Sequence, residues 1–283
     1  MISFIGAGKV GLALGLYFKE KGFDIAGYYS RTYNHAQAAA KSTGSKAYDS
    51  ITELLTHSTM VWITASDDAL LPLAEEIAQL DIPPHIEAFI HTSGVHSTDV
   101  LKPISKAGFK TYSAHPLMAF AQAEESVEAL NKVYFSIETT AASEKELSSD
   151  NCLTRLFEKT GNPILSIDTN KKELYHCAAA VLSNYMVTLL NMSYEMFAES
   201  GMSKSEIKAA TAPLLKSTLS NIQDNEFMSH ALTGPIKRGD SNTIAKHLEA
   251  LQKFMPDKKE VYTALGKETM NMLQDNKLKE LFK

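Results

Sequence analysis

Cysteine is scarce in this chain, with two residues, Cys152 and Cys177, in 283. They are not spaced as metal ligands, so neither a disulfide framework nor a structural zinc site is expected. Basic tracts are missing as well. Lys and Arg number 28 against 33 Asp and Glu, for a formal charge of -5, and no cluster of them could neutralise a row of phosphates. Nucleic acid is therefore not an expected partner. No uninterrupted apolar run reaches the roughly 18 residues of a membrane span. The first apolar run lasts a few residues and breaks at Gly6, so neither membrane insertion nor secretion is expected. The sparse cysteines fit a cytoplasmic protein. Internal repeats and low-complexity segments are also lacking.

What remains is 44% hydrophobic and 22% charged, the make-up of an ordinary soluble globular protein. The length suffices for one large domain or two ordinary ones. Short β-type runs at Ile2-Ile5, Phe23-Tyr29, Met60-Thr64, Ala88-His91, Thr111-Ser113, Val133-Ile137 and Ile164-Ile167 alternate with helical patterns. The helical pattern is clear at Lys9-Lys21 and weaker around Thr139-Thr160. Such alternation predicts an α/β domain with a doubly wound parallel sheet.

After Asp168 the β-branched runs stop and Met, Leu and Ala dominate. The expected division is thus an α/β domain over residues 1–168 and a mostly α-helical domain over 169–283. The second domain opens with one helix from about Lys171 to Glu199. Roughly 29 residues at about 1.5 Å each give some 43 Å, longer than a small domain is wide. Part of that helix is expected to pack on a second subunit, which makes the chain a candidate homodimer. Capping boxes predict further helix starts at Ser203-Lys-Ser-Glu206 and Asp257-Lys-Lys-Glu260.

The first strand runs into Gly6-Ala7-Gly8-Lys9-Val10-Gly11 and then into a helix. A dinucleotide needs this order. Gly6 makes the tight turn, Gly8 lets backbone approach a pyrophosphate, and Gly11 lets helix lie close to strand. The helix N-terminus offers free N–H groups to the anion. The alternative is a glycine-rich turn that binds nothing. The second strand ends at Tyr29, and Ser30-Arg31 follow without the carboxylate that would hold a ribose 2′-hydroxyl. Ser30 can donate a hydrogen bond and Arg31 can pair with a 2′-phosphate, so NADP(H) is favoured over NAD, unless Arg31 is a solvated loop residue.

Ligands of an open parallel sheet bind beyond the carboxyl ends of its strands. Three stretches qualify: Ala65-Ser66-Asp67-Asp68, His91-Thr92-Ser93-Gly94 and Ala114-His115-Pro116-Leu117. Asp68 reads best as a helix cap. His115 is either a site residue or a core histidine, and the roles of His91 and His115 stay open. His91, His96 and His115 contain no HxH or HxxxH pair, so no metal is expected.

In Lys171-Lys-Glu-Leu-Tyr-His-Cys-Ala-Ala-Ala-Val-Leu-Ser-Asn184, Lys172, His176, Ala180 and Ser183 share a helix face, with Asn184 some 80° round from His176 at about 100° per residue. A tight helix seam is the competing reading. In Leu232-Thr-Gly-Pro-Ile-Lys-Arg-Gly-Asp240, a bend at Gly234-Pro235 and a free backbone at Gly239 display Arg238, whose planar fork suits a carboxylate or phosphate. Asp240 is placed to cap a helix from about Ser241 to Lys253. Arg238 is otherwise a surface residue of a connecting turn.

Taken together, the glycine fingerprint, Ser30-Arg31, HTSG, AHPL, YHCAAAVLSN, LTGPIKRGD and His247-Leu248 resemble the bacterial proteins that join a Rossmann domain to a C-terminal helical domain of formerly unknown function. The resemblance runs over nearly the whole chain. It implies kinship with 6-phosphogluconate dehydrogenase, pyrroline-5-carboxylate reductase and ketopantoate reductase, and some members of the family act as an alternative ketopantoate reductase in pantothenate biosynthesis. Compared with ordinary ketopantoate reductases, His176 stands where a catalytic lysine is found. Ala180 replaces one asparagine and Asn184 matches another.

The resemblance implies an NADPH-dependent reductase of a small 2-oxo acid. His176 would be the proton donor, Lys172 a reserve donor, Asn184 an orienting group, and Arg238 a carboxylate clamp on a loop steadied by Asp240. Competing readings are an imine reductase similar to pyrroline-5-carboxylate reductase, and an NADP-binding sensor without turnover.

Overall fold

The computed structural model describes residues 1–138, 151–275 and 277–282. The chain divides into two compact units, Met1–Ser183 and Asn184–Lys283. The division falls at residue 183 rather than at the change of composition after Asp168, because the first helical turns beyond Asp168 are tied to the sheet through Lys172 (below).

The first unit is built on strands β1 (Ile2–Ile5), β2 (Ile25–Tyr29), β3 (Lys46–Tyr48), β4 (Met60–Ile63), β5 (Ala88–His91), β6 (Thr111–Pro116), β7 (Phe135–Glu138) and β8 (Ile164–Ile167). They lie in the order β3-β2-β1-β4-β5-β6-β7-β8. All neighbours are parallel except β6 and β7, which are antiparallel. The expected α/β sheet is therefore mostly, not wholly, parallel. Two further corrections concern strand limits. β3 was not expected, since three residues carry too little pattern. β6 continues to Pro116 because Ala114, His115 and Pro116 pair with β7, so His115 belongs to a strand and not to the loop beyond it.

The central strands are buried on both faces, which explains their continuous apolar character. Side chains alternate between two cores. Phe4, Trp62 and Ile90 face Leu14, Tyr17 and Phe18, whereas Ile5, Val61, Ile63 and Phe89 face Leu54, Leu70 and Ile77. Each such side chain contributes roughly 1.5–3 kcal/mol on leaving water. These cores fix the sheet whose carboxyl edge carries the site.

The helix after β1 spans Lys9–Glu20, close to its expected limits. The helix after β4 begins at Asp67 with Ser66 at the N-cap. Asp68 is thus not a cap; it sits with Asp67 in the first turn, where a negative charge suits the helix dipole. Of the weaker pattern around Thr139-Thr160, the helix Cys152–Thr160 is present, and 139–150 lie outside the described residues.

The stretch read as a single helix from Lys171 to Glu199 has three parts: α over Lys172–Ala180, π over Val181–Tyr185 and α over Met186–Glu199. A π turn takes an extra residue, so the count at about 100° per residue from His176 to Asn184 does not carry past Ala180.

The second unit has a helix Lys204–Gln223 that opens with the expected capping box, Ser203 Oγ accepting from Glu206 N and Glu206 Oε2 from Ser203 N at 2.8 Å. The helix Ser241–Phe254 is capped by Asp240. The expected box at Asp257 does not form. The chain enters the helix Lys259–Leu273 through a 3-10 turn at Pro256–Lys258, and Asp257 instead pairs with Lys258 at 3.2 Å. Ile244, Met270, Leu278 and Phe282 make a small core. Among the described residues no helix is long and apolar enough to cross a membrane.

Candidate active site

The glycine turn and the ends of β1, β2 and β4 enclose a cavity of about 540 Å³, lined among others by Gly6, Ala7, Gly8, Ser30, Arg31 and Thr64. Gly6 has φ +113°, and a side-chain carbon there would lie 2.7 Å from the Thr64 carbonyl. That position therefore requires glycine for both conformation and space. Gly11 presses its α-carbon on the Gly6 carbonyl, where a side-chain carbon would come within 2.4 Å. At Gly8 a side-chain carbon meets nothing within 4 Å. Gly8 also serves as N-cap of the helix Lys9–Glu20 without any side-chain cap, so the first N–H groups have no side-chain acceptor there. Close helix–strand packing at Gly6 and Gly11 with open space at Gly8 is the arrangement a pyrophosphate needs. Lys9 and Val10 head the helix and do not line the cavity.

One strand further along the same edge lies a cluster of titratable groups. His91, at the end of β5, is fully buried, and its Nδ1 accepts the Ser93 N–H at 3.2 Å. Burial first, and the Lys172 charge second, push its pKa down to about 3. His115 Nδ1 lies 2.9 Å from Tyr175 Oη. Its pKa is pushed down to about 4, by burial above all and then by His176 and Lys172. His176 meets His115 edge to face, with ring centres 5.9 Å apart. The His176 Nδ1 is buried and has no hydrogen-bond partner. Gly94, the last residue of HTSG, lies under both rings: a side-chain carbon on it would be 2.3 Å from His176 Nδ1 and 2.9 Å from His115 Nε2.

Below the histidines, Lys172 is 1% exposed. Its Nζ bonds Ser113 Oγ and, at 2.5 Å, Glu138 Oε1. Glu138 Oε2 in turn accepts from Thr98 N at 2.9 Å and Thr98 Oγ1 at 3.2 Å. Burial lowers the Lys172 pKa, and Glu138 opposes that shift. The network ties β6, β7, the segment after HTSG and the helix Lys172–Ala180 into one body, which holds His176 and Tyr175 against β6.

The residues singled out from sequence thus fall into separate places. Gly6, Ala7, Gly8, Ser30 and Arg31 share the cavity, with Gly11 packed beneath, while His176, Lys172, His115 and His91 share the cluster. Asn184, Arg238 and Asp240 belong to the second unit. Asn184 is exposed within the π segment, and Arg238 is exposed at the end of the one-turn helix Pro235–Arg238. Gly234 at φ 97° and Gly239 at φ 70° flank that turn, as the two glycines suggest. Asp240 caps the next helix, Oδ1 accepting from Thr243 N at 3.1 Å and Oδ2 from Thr243 Oγ1 at 2.7 Å. Hydrogen bonds from Thr243 lower its pKa. Among the described residues no group of three His, Cys, Asp or Glu side chains could hold a metal ion.

Sequence reasoning passed over Tyr175, Gly94, Ser113, Thr98 and Glu138. Tyr175 and Gly94 stand inside motifs already singled out and could have been found there. Lys172 and Glu138 are separated by 34 positions, and no local pattern links them.

A Rossmann-like domain model matches residues 1–116, and a domain of unknown function, DUF2520, matches residues 133–269. No curated protein matches the chain. Among solved structures, a candidate NADP oxidoreductase from Bacteroides fragilis is 21% identical, with a TM-score of 0.75 over 95% of this chain and 97% of that one. A protein from Thermotoga maritima is 22% identical, with a TM-score of 0.71 over 97% and 98%. An imine reductase from Myxococcus stipitatus, solved with NADP+, is 13% identical, with a TM-score of 0.61 over 100% and 99%. At these identities the likeness is one of fold. The two domain models thus follow one another along the chain, Rossmann-like first and DUF2520 second.

Proposed function

We propose that the chain is an NADPH-dependent reductase of a small 2-oxo acid, with 2-dehydropantoate (ketopantoate) as the specific substrate and pantothenate biosynthesis as its setting. One observation carries the reading. A glycine-turn cavity lined in part by Ser30 and Arg31 lies on the same sheet edge as the His115–His176 cluster, in the order β2-β1-β4-β5-β6. A dinucleotide laid along that edge has its adenosine phosphate at Arg31, its pyrophosphate at Gly8 and its reactive ring toward HTSG. The solved structures of similar fold that bind or are named for NADP support the choice of cofactor.

Bound NADPH supplies a hydride to the carbonyl carbon of the substrate. The chain must then supply a proton to the forming alkoxide, and His176 is the group assigned to it, with Lys172 holding the helix in place. Asn184 orients the hydroxyl or carboxylate of the substrate, and Arg238 clamps the carboxylate on a turn that Asp240 fixes. These last three roles rest on the sequence resemblance.

Purified protein given NADPH and a panel of 2-oxo acids tests the reading. Ketopantoate-dependent oxidation of NADPH, much faster than with NADH, is the expected result. A second reading, reduction of an imine, is favoured by the fold shared with an imine reductase along the whole chain; turnover of cyclic imines but of no oxo acid would select it.

The helical unit is the surface assigned to a homodimer. The helix Met186–Glu199 has no buried side chain, and Val187 at 66%, Leu214 at 60% and Leu219 at 51% are exposed. Exposed apolar side chains of this kind support an interaction surface on this unit.

A further inference from the structure

The geometry assigns a role to Tyr175 and His115: together they orient the His176 imidazolium, with His115 as a neutral acceptor for its Nδ1–H, so that its second hydrogen, on Nε2, is left for the substrate. This deepens the reductase reading and rests on it.

Three observations meet at His115. Its Nδ1 faces Tyr175 Oη at 2.9 Å. Its Nε2 and the unpartnered, buried Nδ1 of His176 both lie beside one spot over the bare α-carbon of Gly94, 2.9 and 2.3 Å from the place a side-chain carbon would take. The two ring centres lie 5.9 Å apart. Consecutive residues of one helix, Tyr175 and His176, therefore grip opposite sides of the same imidazole.

An imidazole has one donor and one acceptor nitrogen when neutral. With its hydrogen on Nδ1, donated to Tyr175 Oη, His115 presents a lone pair at Nε2. That lone pair is the partner the buried His176 Nδ1 lacks in the resting geometry; contacts of this kind tighten when substrate binds. With the hydrogen on Nε2, His115 would instead oppose any proton on His176 Nδ1.

The charges around His115 favour the neutral acceptor form. Lys172 and His176 face it from the helix Lys172–Ala180, and Asp67 acts from the helix Asp67–Ala78 with the opposite sign but less strongly than burial. Tyr175, half buried, keeps its phenol proton, since burial raises its pKa. In catalysis His176 acts as the imidazolium, with a hydrogen on each ring nitrogen; its Nε2–H bond breaks, the proton passes to the substrate oxygen and the ring is left neutral. The electron pair stays on Nε2, and the Nδ1 proton remains shared with His115.

The test is nitrogen-detected NMR of the histidine rings in the whole protein, with and without NADPH, joined to kinetics of Tyr175→Phe and of His115→Gln beside His115→Ala. The expected result is a neutral Nδ1–H tautomer for His115 that persists below pH 5 and is lost in Tyr175→Phe. In kinetics, Tyr175→Phe lowers kcat about tenfold with little change in KM and shifts the acid limb of the pH profile, and His115→Gln, which keeps an acceptor near Nε2, recovers part of the activity lost in His115→Ala. An Nε2–H tautomer for His115, or its titration at the ordinary histidine value, would overturn the assignment. So would a pH profile unchanged in Tyr175→Phe. Because the tautomer is read without substrate, failure to reduce any oxo acid would count against the reductase reading and leave the ring assignment to be judged on its own.

Discussion

Lys172 Nζ lies 2.5 Å from Glu138 Oε1, with the two side chains only 2% and 7% exposed. A charge buried to that extent tolerates loss of its partner poorly. Glu138→Gln should destabilise the protein by about 3 kcal/mol in urea unfolding, whereas the double change Lys172→Met with Glu138→Gln should recover much of the loss. Equal stability of wild type and Glu138→Gln would show that the pair contributes nothing to holding the helix on the sheet.

Acid should weaken the fold before carboxylates titrate. His91 and His115 have native pKa values of about 3 and about 4, below the ordinary value of roughly 6.5 that applies on unfolding. The unfolded chain therefore binds more protons between those limits. The stability these two groups contribute is complete above about pH 6.5 and is lost as pH falls toward 4 and 3, at about 1.4 kcal/mol per pH unit for each. Unfolding at pH 5 should take up close to two protons from this pair. Asparagine in place of both histidines should flatten the urea midpoint between pH 6.5 and 5, and an unchanged slope would contradict the assignment.

Two glycines of the nucleotide turn should separate folding from binding. Gly6→Ala meets the Thr64 backbone at 2.7 Å at a φ of +113° and should lower Tm, since such strain costs about 1–3 kcal/mol. Gly8→Ala meets no neighbour within 4 Å and should leave Tm unchanged. It should weaken NADPH binding about tenfold or more, a change of some 1.4 kcal/mol, by filling the space a pyrophosphate takes. Fluorescence titration and thermal unfolding on both variants check this.

Gly94→Ala sets a side-chain carbon against two imidazole nitrogens. One ring must move, at a cost of about 1–3 kcal/mol. Turnover should fall far more than NADPH affinity, most of which is assigned to the adenosine phosphate at Arg31 and the pyrophosphate at Gly8. Equal losses in both would place Gly94 at the cofactor instead.

Strand and helix order in the first unit was legible because central strands buried on both faces leave continuous apolar runs, as in Met60–Ile63 and Ala88–His91. The nucleotide turn was legible because glycine has few other uses at that spacing. The pairing of β6 with β7 was not, since a strand turning antiparallel leaves no mark at Ala114-His115-Pro116. Lys172 read as a reserve donor on the helix face of His176, but its partners Ser113 and Glu138 come from distant strands and bury it. The π segment at Val181–Tyr185 follows no propensity rule that its residues display, so Asn184 was placed by a helical count that stops short of it.

The most direct measurement follows NADPH absorbance in the presence of ketopantoate for wild type and His176→Ala, with NADPH affinity measured on both. Oxidation that falls by about a hundredfold or more in His176→Ala while affinity for NADPH holds is the expected result. Equal rates for the two proteins, or no ketopantoate-dependent oxidation by wild type, would contradict the assignment of this cluster to reduction of the oxo acid.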